Sequence, residues 1–286
     1  MLGIAALLLT SPHAQATQDE IALPLDTRAD LFHSSDEDAV HAFSGATGGI
    51  NLGIYPMGEA HHVWHGRVHG DIALLTWRDS LVWRASLEAE TIADDGNEIS
   101  FRLVRLFYQF RTAVDLKLGP GVLSMALNHR CGHGTDGALP GRILIRTGVD
   151  ASYGAAHRWG DLELSWLAHA HATVLGQNAD LSSQVRGILS GSAQLSYDLP
   201  HAFQLIASAG LGVALQGGSD SDLYLISDPA QELHAEPLPA AAIGARYDGL
   251  GANFGLFLHY QRVVDTGLTE VTQPASLFSL RLHFGW

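Results

Sequence analysis

The chain has 286 residues, 30 acidic against 16 basic side chains, and a formal net charge of −14. That balance, with scattered arginines and Lys117 as the only lysine, excludes the clustered basic face that nucleic acid requires. No run of 18 apolar residues occurs, which argues against an α-helical membrane protein, and the single Cys131 excludes an intrachain disulfide.

Residues 1–16 read as a secretory signal: Leu2 to Leu9 form an apolar run, and Ala14-Gln15-Ala16 has the A-x-A form of a cleavage site. The run is too short to span a bilayer, for which a helix needs roughly 20 residues. Residues 17–46 are acidic, with Asp36-Glu37-Asp38, and show little periodicity. They are expected to form an extension rather than a domain. From residue 47 to 286 apolar residues alternate with polar or small ones, the period-2 signature of strands. Strands are predicted over 47–57, 63–77, 81–92, 99–118, 121–131, 141–153, 161–174, 184–197, 202–216, 238–247, 250–263 and 275–286. In the clearest of them, Phe203, Leu205, Ala207, Ala209, Leu211, Val213 and Leu215 share one face. Gln204, Ser208, Gly210, Gly212 and Gln216 share the other.

A soluble β-sandwich has the same period, so the connections must decide. They alternate between short, such as Gly119–Pro120, Gly154–Gly160 and Asp248-Gly249, and long, such as 132–140, 175–183, 217–237 and 264–274. Tight turns at one end and longer loops at the other are the mark of transmembrane β-barrels. The expected fold is therefore all-β, a transmembrane antiparallel barrel of about 12 strands. An even strand count puts both termini on one side, the periplasm of a Gram-negative envelope. Residues 17–46 then lie against the barrel as a periplasmic extension, or alternatively inside its lumen as a plug. The last strand alternates Phe278, Leu280, Leu282, Phe284 and Trp286 with Ser279, Arg281, His283 and Gly285. It resembles the aromatic-ended strand by which outer-membrane proteins are recognised for insertion. That resemblance implies the bacterial outer membrane as location, and its lipids and barrel-insertion machinery as partners.

With apolar faces toward lipid, the opposite faces form the lumen. Val104, Leu106, Tyr108, Phe110, Val114, Leu116 and Leu118 are expected outward, and Arg105, Gln109, Arg111, Asp115 and Lys117 inward. Ile143, Ile145, Val149 and Tyr153 are likewise outward, Arg146 and Asp150 inward. His65, His69, His169 and His171 fall on inward faces toward the extracellular ends of their strands, and His61-His62 in the first loop. Two imidazoles two residues apart on a strand point to one side, as a metal site needs. No Asp, Glu or Cys accompanies them at ligand spacing, and a hydrated lumen also tolerates histidine with no ligand role. No cofactor is predicted, and a metal at the mouth is the alternative.

One segment could carry chemistry. Val122, Ser124, Ala126, Asn128 and Arg130 alternate with Leu123, Met125, Leu127, His129 and Cys131, which places His129 and Cys131 on the lipid side near the outer rim. His129-x-Cys131 resembles the H-x-S element of outer-membrane lipid hydrolases, the phospholipase A and lipid A deacylase barrels. The resemblance implies His129 as base and Cys131 as nucleophile. The Asn or Glu that orients the imidazole in those enzymes has no identifiable match here. His129, Cys131, His133 and Asp136 also resemble the H-x-S-x-H-x-x-D element of an uncharacterised family of bacterial outer-membrane barrels, with Cys for Ser. Leu23-Pro24-Leu25-Asp26-Thr27-Arg28 is similar to that family's N-terminal box. The plainer alternative is that His129, His133 and Asp136 order a loop rich in glycine at Gly132, Gly134 and Gly137. Three readings of function follow. The leading one is a narrow channel or structural envelope protein. The others are an outer-leaflet lipid hydrolase and a metal- or ligand-binding mouth.

Overall fold

The computed structural model describes residues 40–57, 61–78, 80–135, 143–178, 184–249, 251–264 and 274–286. In chain order the strands are β1 (Val40–Met57), β2 (Trp64–Trp77), β3 (Leu81–Asp94), β4 (Arg102–Leu118), β5 (Gly121–Gly134), β6 (Leu144–Trp159) and β7 (Leu162–Gln177). They continue as β8 (Val185–Leu199), β9 (Phe203–Gly218), β10 (Leu223–Leu225), β11 (Gln231–Gly249), β12 (Ala252–Val263) and β13 (Ala275–Gly285). The order β7-β6-β5-β4-β3-β2-β1-β13-β12-β11-β9-β8, with β7 also paired to β8, closes the sheet on itself. The short β10 adds to β7 at the loop end. All pairings are antiparallel, and the described residues contain no α-helix, only a 3-10 turn at Pro200–Ala202.

Several boundaries differ from expectation: β11 begins at Gln231 rather than 238, β10 lies in the expected 217–237 loop, and two more differences concern the wall. β1 begins at Val40, paired with Trp77, so residues 40–46 belong to the wall and not to an extension. Residues 1–39, over which a signal, an acidic extension and the Leu23–Arg28 box were expected, lie outside the described residues. β6 continues through Gly154, which sits in the ladder opposite Val122 and Leu167. The turn that follows is at Gly160, where φ is +61°. Glycine read as a turn signal was here a wall position.

The outer face is apolar. On β9 every residue from Phe203 to Leu215 on the odd positions is exposed, and β13 alternates without exception from Ala275 to Gly285. Aromatic side chains gather at both ends. Tyr153 with Trp166, Phe203 with Tyr247 and Phe254 with Phe284 pair toward the turn end, at centroid distances of 5.5, 5.2 and 5.0 Å. Tyr260 and Phe278 pair at 4.7 Å toward the loop end, where Trp64 also stands. An apolar band between two aromatic girdles is what a barrel presents to a bilayer.

The inner face is polar from the turn end to mid-height, with Arg84, Gln109, Asp115, Asn128, Arg130 and Asp150 all buried. Two expectations fail there. Val104 is fully buried rather than outward, because the β3–β4 register shifts between Ile92 and Ala93 and it joins Ile92, Phe107 and Leu144. Lys117, expected inward, is exposed near the turn end.

Candidate functional site

On β5, His129, Cys131 and His133 stand on the outward face, opposite Phe110, Tyr108 and Leu106 of β4. Phe110 is 54% and Tyr108 38% exposed, which fixes this as the lipid side of the wall near the loop end. Directly across on β6, Thr147 faces His129 and Ile145 faces Cys131. His129 Nδ1 and Thr147 Oγ1 are 2.8 Å apart. Thr147 therefore holds the imidazole by the nitrogen that an orienting residue would use, and it is the site residue the sequence reading missed. Among the described residues no hydrogen bond joins His129 to Cys131. Asp136 lies outside the described residues. Gly132 is a wall glycine, since a Cβ there would meet Phe107 Cε1 at 2.4 Å.

The inward histidines have carboxylate partners across the ladder. His65 Nε2 lies 2.8 Å from Glu90 Oε1, and Glu90 also accepts from Arg130 Nη2 at 2.6 Å. His171 Nδ1 lies 2.7 Å and His169 Nε2 3.4 Å from the same Oδ1 of Asp150. The carboxylates thought absent are thus present, placed by register rather than by sequence spacing. His65 sits at the loop end of β2, whereas His169 and His171 sit midway along β7, well below the mouth. β2 and β7 are separated around the wall by β3, β4, β5 and β6. His69 packs against Gly49. Among the described residues no group of three or more His, Cys, Asp or Glu could hold a metal. In the β1–β2 connection, burial pushes His62 down to about 4, with His65 adding repulsion.

Three tiers make up the lumen. Toward the turn end Arg84 is fully buried and binds Asp71 through Nη1 at 3.1 Å and Asp115 through Nε and Nη2. At mid-height Arg67 pairs with Glu88 at 2.6 Å and Arg111 with Asp150 at 3.6 Å. Arg130 also stacks 4.3 Å over the ring of Phe107. At the loop end apolar inward residues cluster between polar ones such as Arg105, Arg146 and His65. Tyr55, Val263, Ala275 and Leu277 form one buried cluster, and Val185, Ile188, Ala214 and Leu238 belong to another. With Ile92, Val104, Phe107 and Leu144 they make a collar inside that end of the wall.

The charges are unevenly shared around the circle. At mid-height β8, β9 and β11 face inward with Ser192, Gln194, Ser196, Ser208, Ala240 and Ala242, and charge returns only toward their ends, at Glu236 and Arg246. Several buried polar atoms on both sides have no partner among the described residues: both amide atoms of Gln109, Asn128 Oδ1, Ser192 Oγ, Gln194 Oε1 and Ser208 Oγ.

No protein-family model matches this chain, and neither does any curated protein. Among solved structures it is similar to a NanC porin, at 12% identity and a TM-score of 0.43, over 84% of this chain and 98% of that one. It is similar to the outer membrane phospholipase dimer with bound calcium of Salmonella typhi, at 11% identity and a TM-score of 0.46, over 88% and 95% of the two chains. A third likeness is to LpxR from Salmonella typhimurium, at 8% identity and a TM-score of 0.44, over 84% and 99%. At these identities the likeness concerns the fold, and the fold is a closed antiparallel β-barrel.

Proposed function

We propose that this chain is a bacterial outer-membrane barrel that forms a narrow conduit for small polar solutes, restricted at its loop end by the apolar collar. The orphaned polar atoms of Gln109, Asn128, Ser192, Gln194 and Ser208 carry this reading. Each costs about 1–3 kcal/mol if buried dry, a cost that water or a polar solute in the middle of the lumen would remove. The small neutral side chains of β8, β9 and β11 leave room for it beside the charged wall. The collar sets the limit, since an apolar constriction gates by dewetting. Planar-bilayer recording should show small, infrequent conductance steps, and Leu238→Ser in the collar should raise both their size and frequency. If neither protein conducts, the conduit is wrong.

A second reading has one observation in its favour, the Thr147 hydroxyl on His129 Nδ1. With the imidazole so held, His129 Nε2 could take the thiol proton of Cys131 while the sulfur adds to a lipid ester carbonyl. The alcohol would leave with that proton, and water would then cleave the thioester. Lipid mass spectrometry of cells with and without the protein tests it. An unchanged acyl profile, or full activity in Cys131→Ala, removes it.

A further inference from the structure

Near the loop end, the outer wall carries a groove with a cavity volume of about 450 Å³. Leu52, Leu280 and Leu282 line one side, and Trp64 and Phe101 the other. Gly66 is its floor: a Cβ there would lie 2.7 Å from Thr91 Oγ1 and 3.8 Å from Leu52 Cδ2. The groove therefore exists because position 66 has no side chain.

Its roof is built rather than incidental. Trp64 Nε1 donates to Ser100 O at 3.0 Å, which ties the β3–β4 connection over the wall. Asn97 then clasps Phe101 from both sides, accepting from its N–H at 2.8 Å and donating to its carbonyl at 2.6 Å. Ser100 is held at a φ of 53°, a conformation these bonds maintain. The result is that Ile99, 79% exposed, and Phe101, 47% exposed, extend apolar surface beyond the strand ends.

The polar atoms nearby are already used. Thr91 Oγ1 donates to Gly66 O at 3.2 Å, the Trp64 indole is committed to Ser100, and His65 turns to Glu90 on the lumen side. Among the described residues that line the groove, these bonds leave no side-chain group to bind a peptide backbone or an anion. The groove opens onto the apolar belt, where hydrocarbon is the only solvent.

We propose that this groove holds one acyl chain of a bilayer lipid in a fixed position, as a bound component and not as exchanging solvent. The proposal rests on the reading of the barrel as membrane-inserted, but not on its activity.

Brominated acyl chains quench tryptophan on contact, and the protein has six tryptophans. Full-length protein in mixed micelles is titrated with dibrominated phosphatidylcholine, and subtraction of the Trp64→Phe signal isolates Trp64. Trp64 should be quenched near one lipid per protein, whereas the other tryptophans follow the bulk lipid fraction. Gly66→Leu should move Trp64 onto the bulk curve. Leu282→Phe, which narrows the groove without touching Thr91, should do the same even if Gly66→Leu fails to fold. A Trp64 that tracks the others in the unaltered protein overturns the proposal, as does early quenching that survives both variants. If no tryptophan is quenched at any lipid fraction, the membrane reading itself has failed.

Discussion

Replacing Arg84 by Met should destabilise the barrel far more than removal of any exposed charge. Its guanidinium is fully buried and serves two carboxylates, Asp71 at 3.1 Å and Asp115 through Nε and Nη2, with Ser86 Oγ 3.3 Å from Nη1. Met fills much of the same volume and isolates the charge. What remains is two buried acids without the cation they share, and breaking a buried pair in this way costs about 3–5 kcal/mol. An exposed pair such as Arg158 with Glu163, at 3.6 Å and with the arginine half exposed, should give about 1 kcal/mol or less. The assay is urea unfolding in phospholipid vesicles followed by tryptophan fluorescence. Neutralising the acids together, as Arg84→Met with Asp71→Asn and Asp115→Asn, should recover most of the loss, because uncompensated charge and not lost packing is its source. A cost near 1 kcal/mol for the single variant would refute the argument, as would a triple variant no better than the single.

Three further outcomes follow from the geometry. Gly148→Ala should lower folding yield and cost about 1–3 kcal/mol, since its Cβ would lie 2.3 Å from the backbone oxygen of Ala172, which cannot turn aside. Gly132→Ala, whose Cβ meets the Phe107 ring at 2.4 Å, should be rescued by Phe107→Ala, as urea midpoints of the single and double variants will show. His62 is neutral in the folded protein down to about pH 4, against 6.5 when unfolded. The unfolded chain therefore takes up the proton first. The stabilisation is present above about pH 6.5 and is lost as pH falls toward 4, by about 3 kcal/mol at most. His62→Gln should flatten that part of the pH profile, and an unchanged difference between pH 7.5 and 4.5 would count against it.

The wall was readable in the sequence because lipid enforces a strict rule on alternate residues. Phe203 to Leu215 and Phe278 to Trp286 obey it, and the turn-and-loop asymmetry supplied closure. The rule weakens where small residues satisfy both faces. Val40–Ala46, rich in Ala, Ser and Gly, carries no pattern, so the start of β1 was invisible. The inward collar broke the alternation in the other sense, since Leu144, Val185 and Leu238 are apolar on the lumen side. For the site, parity alone placed His129 and Cys131 outward. Thr147, Glu90 and Asp150 reach their histidines through strand register, which depends on loop lengths and bulges that residue order does not disclose.

The ladder between β1 and β13 runs only from Gly48, which exchanges hydrogen bonds with Trp286, to Met57 opposite Phe278, with a slip between Ile54 and Met57. The β8–β9 ladder, by contrast, spans both strands from Val185 to Leu199. Ahead of Gly48, β1 is fastened to β2 alone. The wall is a zip whose shortest row of teeth lies where the chain's two ends meet. Under heat or tension it is expected to part there, leaving a curled sheet with two long bare margins. Each margin is a template for another copy, so the same seam that completes the barrel is where aggregation is expected to begin.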